Sequence, residues 1–327
     1  WSSGPSRTAA PGPGMNPSRS FTVSFAPSEG LFDDSVPNTT SPDSVHESAS
    51  RSNVSPKNRN VSLNVTAGEG PTARLGNELT VVEPDETGRE RWLARGADAC
   101  ASVDELAGPR APEAPPRALI LAVKPQQMTD VLAALPRALP AATAVVSIAA
   151  GLPIARFADA LGEDRAIVRA MPNTPAAIGR GITALVANAA ADDAARGLAT
   201  HLMAAVGETV WLDDERQLHA VTALSGGGPA YVFWLIETMA AAGVAAGLDA
   251  AVADRLALAT VAGAGELARR GEESPDQLRR NVASPGGTTA EALAVLMADD
   301  GLAPLMTRAL SAAAARSRTL AGEDETA

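Results

Sequence analysis

"RALILAVKPQQMTDVLAALPRALPAATAVVSIAAG" (residues 117–151) decides the fold. Two continuous apolar runs of strand length, 117–126 and 143–151, bracket a segment where Met128, Val131, Leu132 and Leu135 recur at three- and four-residue spacing. That spacing predicts one apolar face of a helix, and strands apolar on both faces are what a parallel sheet covered by helices requires. Strand, crossover helix and strand together make a parallel βαβ unit.

The same alternation extends to either side. "LTVVEPD" (79–85) is a β-branched run stopped by Pro84, and 86–95 follows as a helix. Beyond 151 come a helix at 153–161 and a strand in "AIVRAMPNTP" (166–175) that is ended by prolines. Two further strands, "GITALV" (181–186) and "GETVWL" (207–212), flank a helix at about 191–205. The fold class is therefore α/β, a doubly wound parallel sheet over 78–214. "AGPRAPEAPP" (107–116) carries too many prolines for a helix and reads as a surface loop. After about 215 the strands stop. Residues 215–270 are nearly all helix formers with Ala, Leu and Val dense on every side, and further helices follow the break at 283–287, which predicts an all-α domain over 215–327 whose apolar surface meets another subunit. Residues 1–77 are Ser-, Pro- and Asn-rich without helical or alternating period, so they read as a low-complexity, disordered tail.

Composition narrows the function. With 27 Lys plus Arg against 38 Asp plus Glu, the formal charge is −11. That balance argues against nucleic acid or an anionic membrane as partner, since both reward cations. One cysteine, Cys100, excludes a disulfide framework and a Cys-based zinc site, and His46, His201 and His219 are too far apart in sequence to suggest a metal centre. With no signal-peptide layout at residues 1–30, the chain reads as cytoplasmic.

Three stretches carry chemistry. In "NVASPGGTTAEALAVLM" (281–297), Thr288 and Glu291 have the T-x-x-E spacing of a capping box, so a helix starts here. Free N–H groups at that start favour a carboxylate or phosphate, and with Thr288 as cap, Thr289 keeps a hydroxyl for a ligand. A plain helix-entry turn would use the same residues. "ALSGGGPAYVFWLIE" (223–237) sets three glycines and a proline before an apolar helix, either a second ligand turn or a hinge. "LAVKPQ" puts Lys124 just past a strand's carboxyl end, where open α/β sheets bind ligands, and Met171, Pro172 and Asn173 end another strand on the same edge.

"LAVKPQ", "SIAAG", "RAMPNTP", "TALSGGGPAYVF" and "NVASPGGTTAEAL" resemble, in order and spacing, the pyrroline-5-carboxylate reductase family. The resemblance runs from about residue 79 to 320. It implies a Rossmann-like nicotinamide domain, a helical dimerisation domain, and reduction of 1-pyrroline-5-carboxylate to L-proline, the last step of proline biosynthesis. It further implies a homodimer or larger homo-oligomer, with a small-molecule substrate and NADPH or NADH as cofactor. By motif, Ala122, Val123, Lys124 and Pro125 line the dinucleotide, with Ile148 and Ala150 on the next strand end and Asn173 near the nicotinamide. The substrate carboxylate rests on the loop Ser284 to Thr289, including Gly286, facing the N–H groups of Gly287, Thr288 and Thr289. The Thr289 hydroxyl reaches the ring nitrogen as the catalytic group, and Glu272 stands beside the substrate ring.

The chain departs from the family in three places. The family's serine in "SGSGPAY" is Gly227 here, and Val103 stands where a polar residue near the adenosine is expected. The strand, glycine-rich turn and helix expected before 79 are not recognisable. The nearest candidate, Gly68, Gly70 and Ala73 in "VSLNVTAGEGPTARLGN" (61–77), leaves too few residues for a crossover before the strand at 79. Two readings follow: a working reductase, or a truncated and catalytically impaired homologue that keeps only the helical dimerisation module. If cofactor binds, Glu83 at its strand end would accept from the ribose 2′-hydroxyl and favour NADH, while Arg89 and Arg91 keep NADPH open.

Overall fold

The computed structural model describes residues 21–25, 79–107 and 117–323. Among these, eight strands form one sheet: β1 (Phe21–Phe25), β2 (Leu79–Val82), β3 (Asp98–Cys100), β4 (Ala118–Ala122), β5 (Ala144–Ser147), β6 (Ile167–Met171), β7 (Gly181–Ala187) and β8 (Gly207–Trp211). Their spatial order is β3-β2-β1-β4-β5-β6-β7-β8. Neighbours are parallel except β6 and β7. The first six strands thus follow the 3-2-1-4-5-6 order of dinucleotide-binding sheets.

The expectation that the sheet lacks its central strand is corrected here. Phe21–Phe25, inside the stretch read as a tail, pairs in parallel with β2 on one side and β4 on the other, with Val23 opposite both Val81 and Ile120. The physical objection raised by 61–77 does not apply to this strand, because residues 26–78 are far longer than a parallel crossover needs. Gly68, Gly70 and Ala73 lie outside the described residues, as does most of the 107–116 insert.

The sheet core splits cleanly by strand alternation. Leu119, Leu121, Val145 and Ile167 face α2 (Met128–Ala138) and α3 (Ile154–Leu161), packing on Met128, Leu132, Leu135 and Phe157. Ala118, Ile120, Val146 and Val168 point to the other side, against Trp92 of α1 (Glu86–Ala94) and Ala199, Leu202 and Met203 of α4 (Asp193–Ala204). Each large aliphatic or aromatic side chain so buried contributes roughly 1.5–3 kcal/mol. Asp85 and Asp192 cap α1 and α4 by accepting from the backbone N–H of Gly88 and Ala195.

Helices follow the sheet: α5 (Gln217–Val221), a π turn (Thr222–Gly226), α6 (Gly228–Ala245), α7 (Ala250–Arg270), α8 (Pro275–Val282), α9 (Thr288–Leu296) and α10 (Leu302–Ala321). Small residues let α6 and α7 approach closely, since a Cβ on Gly243 would lie 3.2 Å from that of Ala253. Their other faces are bare: Phe233, Trp234, Leu258 and Leu267 are all more than half exposed. The segment Gln217–Ala245 is long and apolar enough to cross a membrane by length and composition. An apolar face of this kind equally suits burial against another subunit.

Val23→Pro tests the placement of β1. Proline removes a ladder N–H from a strand bonded on both sides and leaves a carbonyl unsatisfied, so the chain should lose about 1–3 kcal/mol. A midpoint in urea equal to that of the parent chain would show that residues 21–25 lie outside the sheet.

Candidate active site

The carboxyl ends of β1, β4, β5 and β6 lie side by side, so the sequence-predicted cofactor residues gather on one edge. Past β4, Ala122 and buried Val123 lead to exposed Lys124 and Pro125, where Pro125–Gln127 form a single 3₁₀ turn closed by Gln127 N–H to Lys124 O. Past β5, Ile148 N–H still bonds Leu121 O at 3.0 Å, which holds Ile148 and exposed Ala150 beside the Lys124 turn. Past β6, Asn173 spends its side-chain oxygen on the backbone N–H of Ile182 at 3.0 Å, pinning the strand tip to the start of β7. Strand order reverses between β1 and β4, so the switch point, where open α/β sheets bind dinucleotides, falls at the carboxyl ends of these two strands. These residues fit a nicotinamide cofactor: a cation at exposed Lys124, a half-buried apolar side chain at Ile148 and an amide at Asn173, while Val123 is committed to the core beneath the edge. The turn that follows β1, from Ala26 on, lies outside the described residues.

Glu83 behaves differently from expectation. Its side chain turns inward, accepting from Asp85 N–H at 3.0 Å and filling the space over Gly88, and the residue is 4% exposed. Burial pushes its carboxyl above the ordinary 4.5, against the smaller opposing pull of the Asp85 N–H. In this position the carboxylate is not offered to a ribose. Arg89 instead lies over the strand end, donating to the carbonyls of Glu83 and Pro84.

The substrate loop also needs correcting in detail. The helix-capping residue is Gly287, not Thr288, and no side chain caps α9, so the expected capping box does not form. The reason is the turn before it. Ser284 O accepts from Gly287 N–H at 3.0 Å, with Pro285 second and Gly286, at φ +71°, third. That is the residue pattern of a type II turn, whose third position demands a positive φ. Gly287 N–H is therefore already used. Thr288 and Thr289 contribute the open N–H groups of the helix start, beside the exposed Ser284 and Gly286. Glu272 is exposed between α7 and α8, whereas its neighbour Glu273 accepts from Asn281.

The two halves of the site are not brought together within one chain. Among the described residues, no hydrogen bond or ion pair joins the 284–289 loop or Glu272 to the strand ends. What does join the domains was not foreseen. Arg169 of β6, 9% exposed, pairs at 2.5 Å with Glu215 just before α5, and the same carboxylate oxygen accepts from Ile154 N–H at the start of α3. An arginine inside the apolar run "AIVRAM" was the available signal, since a charge in a buried strand needs a partner. His219 of α5, also buried, bridges Ser317 and Glu323 at the end of α10, 3.0 Å from each.

A doubly wound sheet in the 3-2-1-4-5-6 order followed by an all-helical domain is the architecture of dinucleotide-binding folds. A family model described as pyrroline-5-carboxylate reductase dimerisation matches residues 215–320. A pyrroline-5-carboxylate reductase from Pseudomonas aeruginosa is 47% identical over 203 residues, 62% of this chain and 74% of that protein. One from Synechocystis is 46% identical over 178 residues, 54% of this chain and 66% of that protein. The solved structure of a pyrroline-5-carboxylate reductase from Coxiella burnetii superposes with a TM-score of 0.69 at 34% identity, covering 75% of this chain and 88% of that one. The NADP-bound Plasmodium falciparum enzyme gives 0.62 at 28% identity, with coverage of 75% and 88%. The chain belongs to the pyrroline-5-carboxylate reductase family.

The Glu83 carboxyl gives a pH test. Its value is higher in the folded than in the unfolded chain, so its stabilising contribution is complete below about 4.5 and is lost as pH rises through the folded value. Glu83→Gln keeps the acceptor for Asp85 N–H and removes the buried charge. The variant should melt higher than the parent at neutral pH, with the gain vanishing near pH 4.5. A scanning-calorimetry difference that is constant with pH would exclude this account.

Proposed function

We propose that this chain reduces 1-pyrroline-5-carboxylate to L-proline in the cytoplasm, using NADPH or NADH, as a homodimer or larger homo-oligomer. The observation that carries the reading is the shared carboxyl edge of β4, β5 and β6, past which Lys124, Ile148 and Asn173 follow in the segments leaving the three adjacent parallel strands. Bound there, the reduced nicotinamide supplies a hydride to the imine carbon. The protein's task is to position and to stabilise charge, because a protonated imine is already electrophilic and no nucleophile is needed.

The substrate end is built from backbone. The substrate carboxylate sits at the start of α9 on the Thr288 and Thr289 N–H groups, where the helix end favours an anion. The Thr289 hydroxyl meets the ring nitrogen and orients the imine rather than acting as a strong acid. Ser284, Gly286 and Gly287 shape that turn, and Glu272 faces the ring from the turn after α7. Assembly follows from the same surfaces. Trp234 and Phe233 on α6 and Val295 beside the substrate loop are exposed in the single chain, within the segment that matches the dimerisation family.

Titrating the purified chain with NADPH and NADH, read by nicotinamide fluorescence, tests the reading. Saturable binding, followed by loss of dihydronicotinamide absorbance only when pyrroline-5-carboxylate is added, is expected. Thr289→Ala should then lower kcat/KM for the imine about 10- to 100-fold, the loss of one hydrogen bond to a charged group, with cofactor affinity unchanged. A folded dimer that binds neither cofactor at millimolar concentration would sink catalysis and favour the impaired-homologue reading.

A further inference from the structure

The helix that carries the domains' junction changes register at one place. In the turn Thr222–Gly226, Gly227 N–H bonds Thr222 O at 2.9 Å, five residues back instead of four. In an α-helix that N–H would have served Ala223 O. Ala223 is 2% exposed, and the hydroxyl of Tyr231, the one tyrosine in the sequence, donates to its carbonyl at 3.0 Å. Single π turns inside α-helices are frequent at functional sites.

Gly227 leaves that bond unobstructed. Its backbone, at φ −81° and ψ −20°, suits any residue, so glycine is not there for its conformational freedom. A Cβ at 227 would instead lie 2.5 Å from the Tyr231 hydroxyl and 3.0 Å from the ring carbon that bears it. The bare Cα leaves the volume that the hydroxyl occupies. One residue earlier, a Cβ on Gly226 would lie 2.8 Å from Met171 Cε, so the turn backs directly onto the tip of β6. Met171 belongs to a small seam with Ala184, Val186, Leu218 and Val221, and Asn173 lies two residues beyond it.

We propose that Tyr231 is a positioning residue: its bond to Ala223 O holds the π register, which sets Gly226 against Met171 and so fixes the β6 tip that presents Asn173 to the nicotinamide. This rests on the reductase reading above. Neither Tyr231 nor Gly227 touches the substrate loop or the Lys124 edge, so their loss should disturb nicotinamide alignment and leave ligand affinity largely intact. Small displacements of reacting groups are costly in rate, which is why a remote hydroxyl can matter.

The test uses the full chain and three variants: Tyr231→Phe, Gly227→Ala and the double variant. Tyr231→Phe should lower kcat about 5-fold, the worth of one hydrogen bond, with both KM values and the fluorescence-measured cofactor Kd within about twofold of the parent. Gly227→Ala should give a similar loss by pushing the hydroxyl off Ala223 O, and the double variant should lose little more than either single one, because both act on one contact. Without any cofactor, the lone tyrosine's ring signal in ¹³C NMR should shift on Gly227→Ala. An unshifted signal, multiplicative losses in the double variant, or an unchanged kcat with only a lower melting temperature would each overturn the proposal. Parent protein that turns nothing over while the tyrosine signal does shift would overturn the reductase reading and, with it, the positioning role.

Discussion

Two-sided pairing of a five-residue strand holds this molecule together. Phe21–Phe25 sits between β2 and β4 and is the only link in the described sheet between the β2–β3 pair and the five strands beyond. Remove it and β4 acquires an open edge beside its own apolar faces, a template for wrong pairing. The candidate chemistry goes with it, because the strand-order reversal exists only where β1 and β4 are neighbours. Stability and ligand binding therefore hang on the same ladder. The remaining strands can each tolerate the loss of one side chain from a shared core more readily than this strand can tolerate the loss of its backbone bonds.

Much of this was legible in the amino-acid order, for identifiable reasons. β4, α2 and β5 announce themselves because both faces of the strands are buried and the helix between them keeps one apolar stripe, so local pattern and tertiary role agree. "FTVSF" carries the same kind of information in only five letters, flanked by serine and proline, and its role is set by partners far along the chain. No local period can report that. The cap of α9 failed for the opposite reason. T-x-x-E is a sound local signal, but Ser284 to Gly287 close a turn whose geometry places the helix start one residue earlier. Glu83 shows a third limit, since spacing locates a carboxylate at a strand end but not the direction in which it turns.

The domain seam was the least visible feature. Arg169 and Glu215 are 46 residues apart, and neither is unusual by itself. Their pairing matters because Arg169 is buried. The guanidinium repays its desolvation only while the carboxylate stays, and that carboxylate also receives the first N–H of α3. One side chain from the entry to the helical domain thus ties together β6, which ends at the candidate nicotinamide site, and α3, which follows β5. A shift of α5 would be felt at two strand ends at once. The His219 bridge to Ser317 and Glu323 adds the last helix to the same junction, and Leu320 of that helix lies close to Gly151 in the loop after β5.

This arrangement explains how a site with so few polar side chains can be specific. Hydride delivery to a protonated imine asks for two rings held face to face and an anion held at a fixed distance, not for a nucleophile or a strong base. Backbone groups do this well, because an N–H at a helix start has no rotamer to order and gains from the aligned peptide dipoles behind it. The requirement then moves from individual side chains to the relative placement of two rigid pieces, the sheet edge and the start of α9. A single chain leaves those pieces unconnected and leaves Phe233, Trp234 and Val295 exposed. Covering that apolar surface with a second copy is what would convert two well-formed halves into one site of fixed dimensions. In such a protein association belongs to the catalytic apparatus, because it sets the distance between the sheet edge and the start of α9 that no single side chain can set.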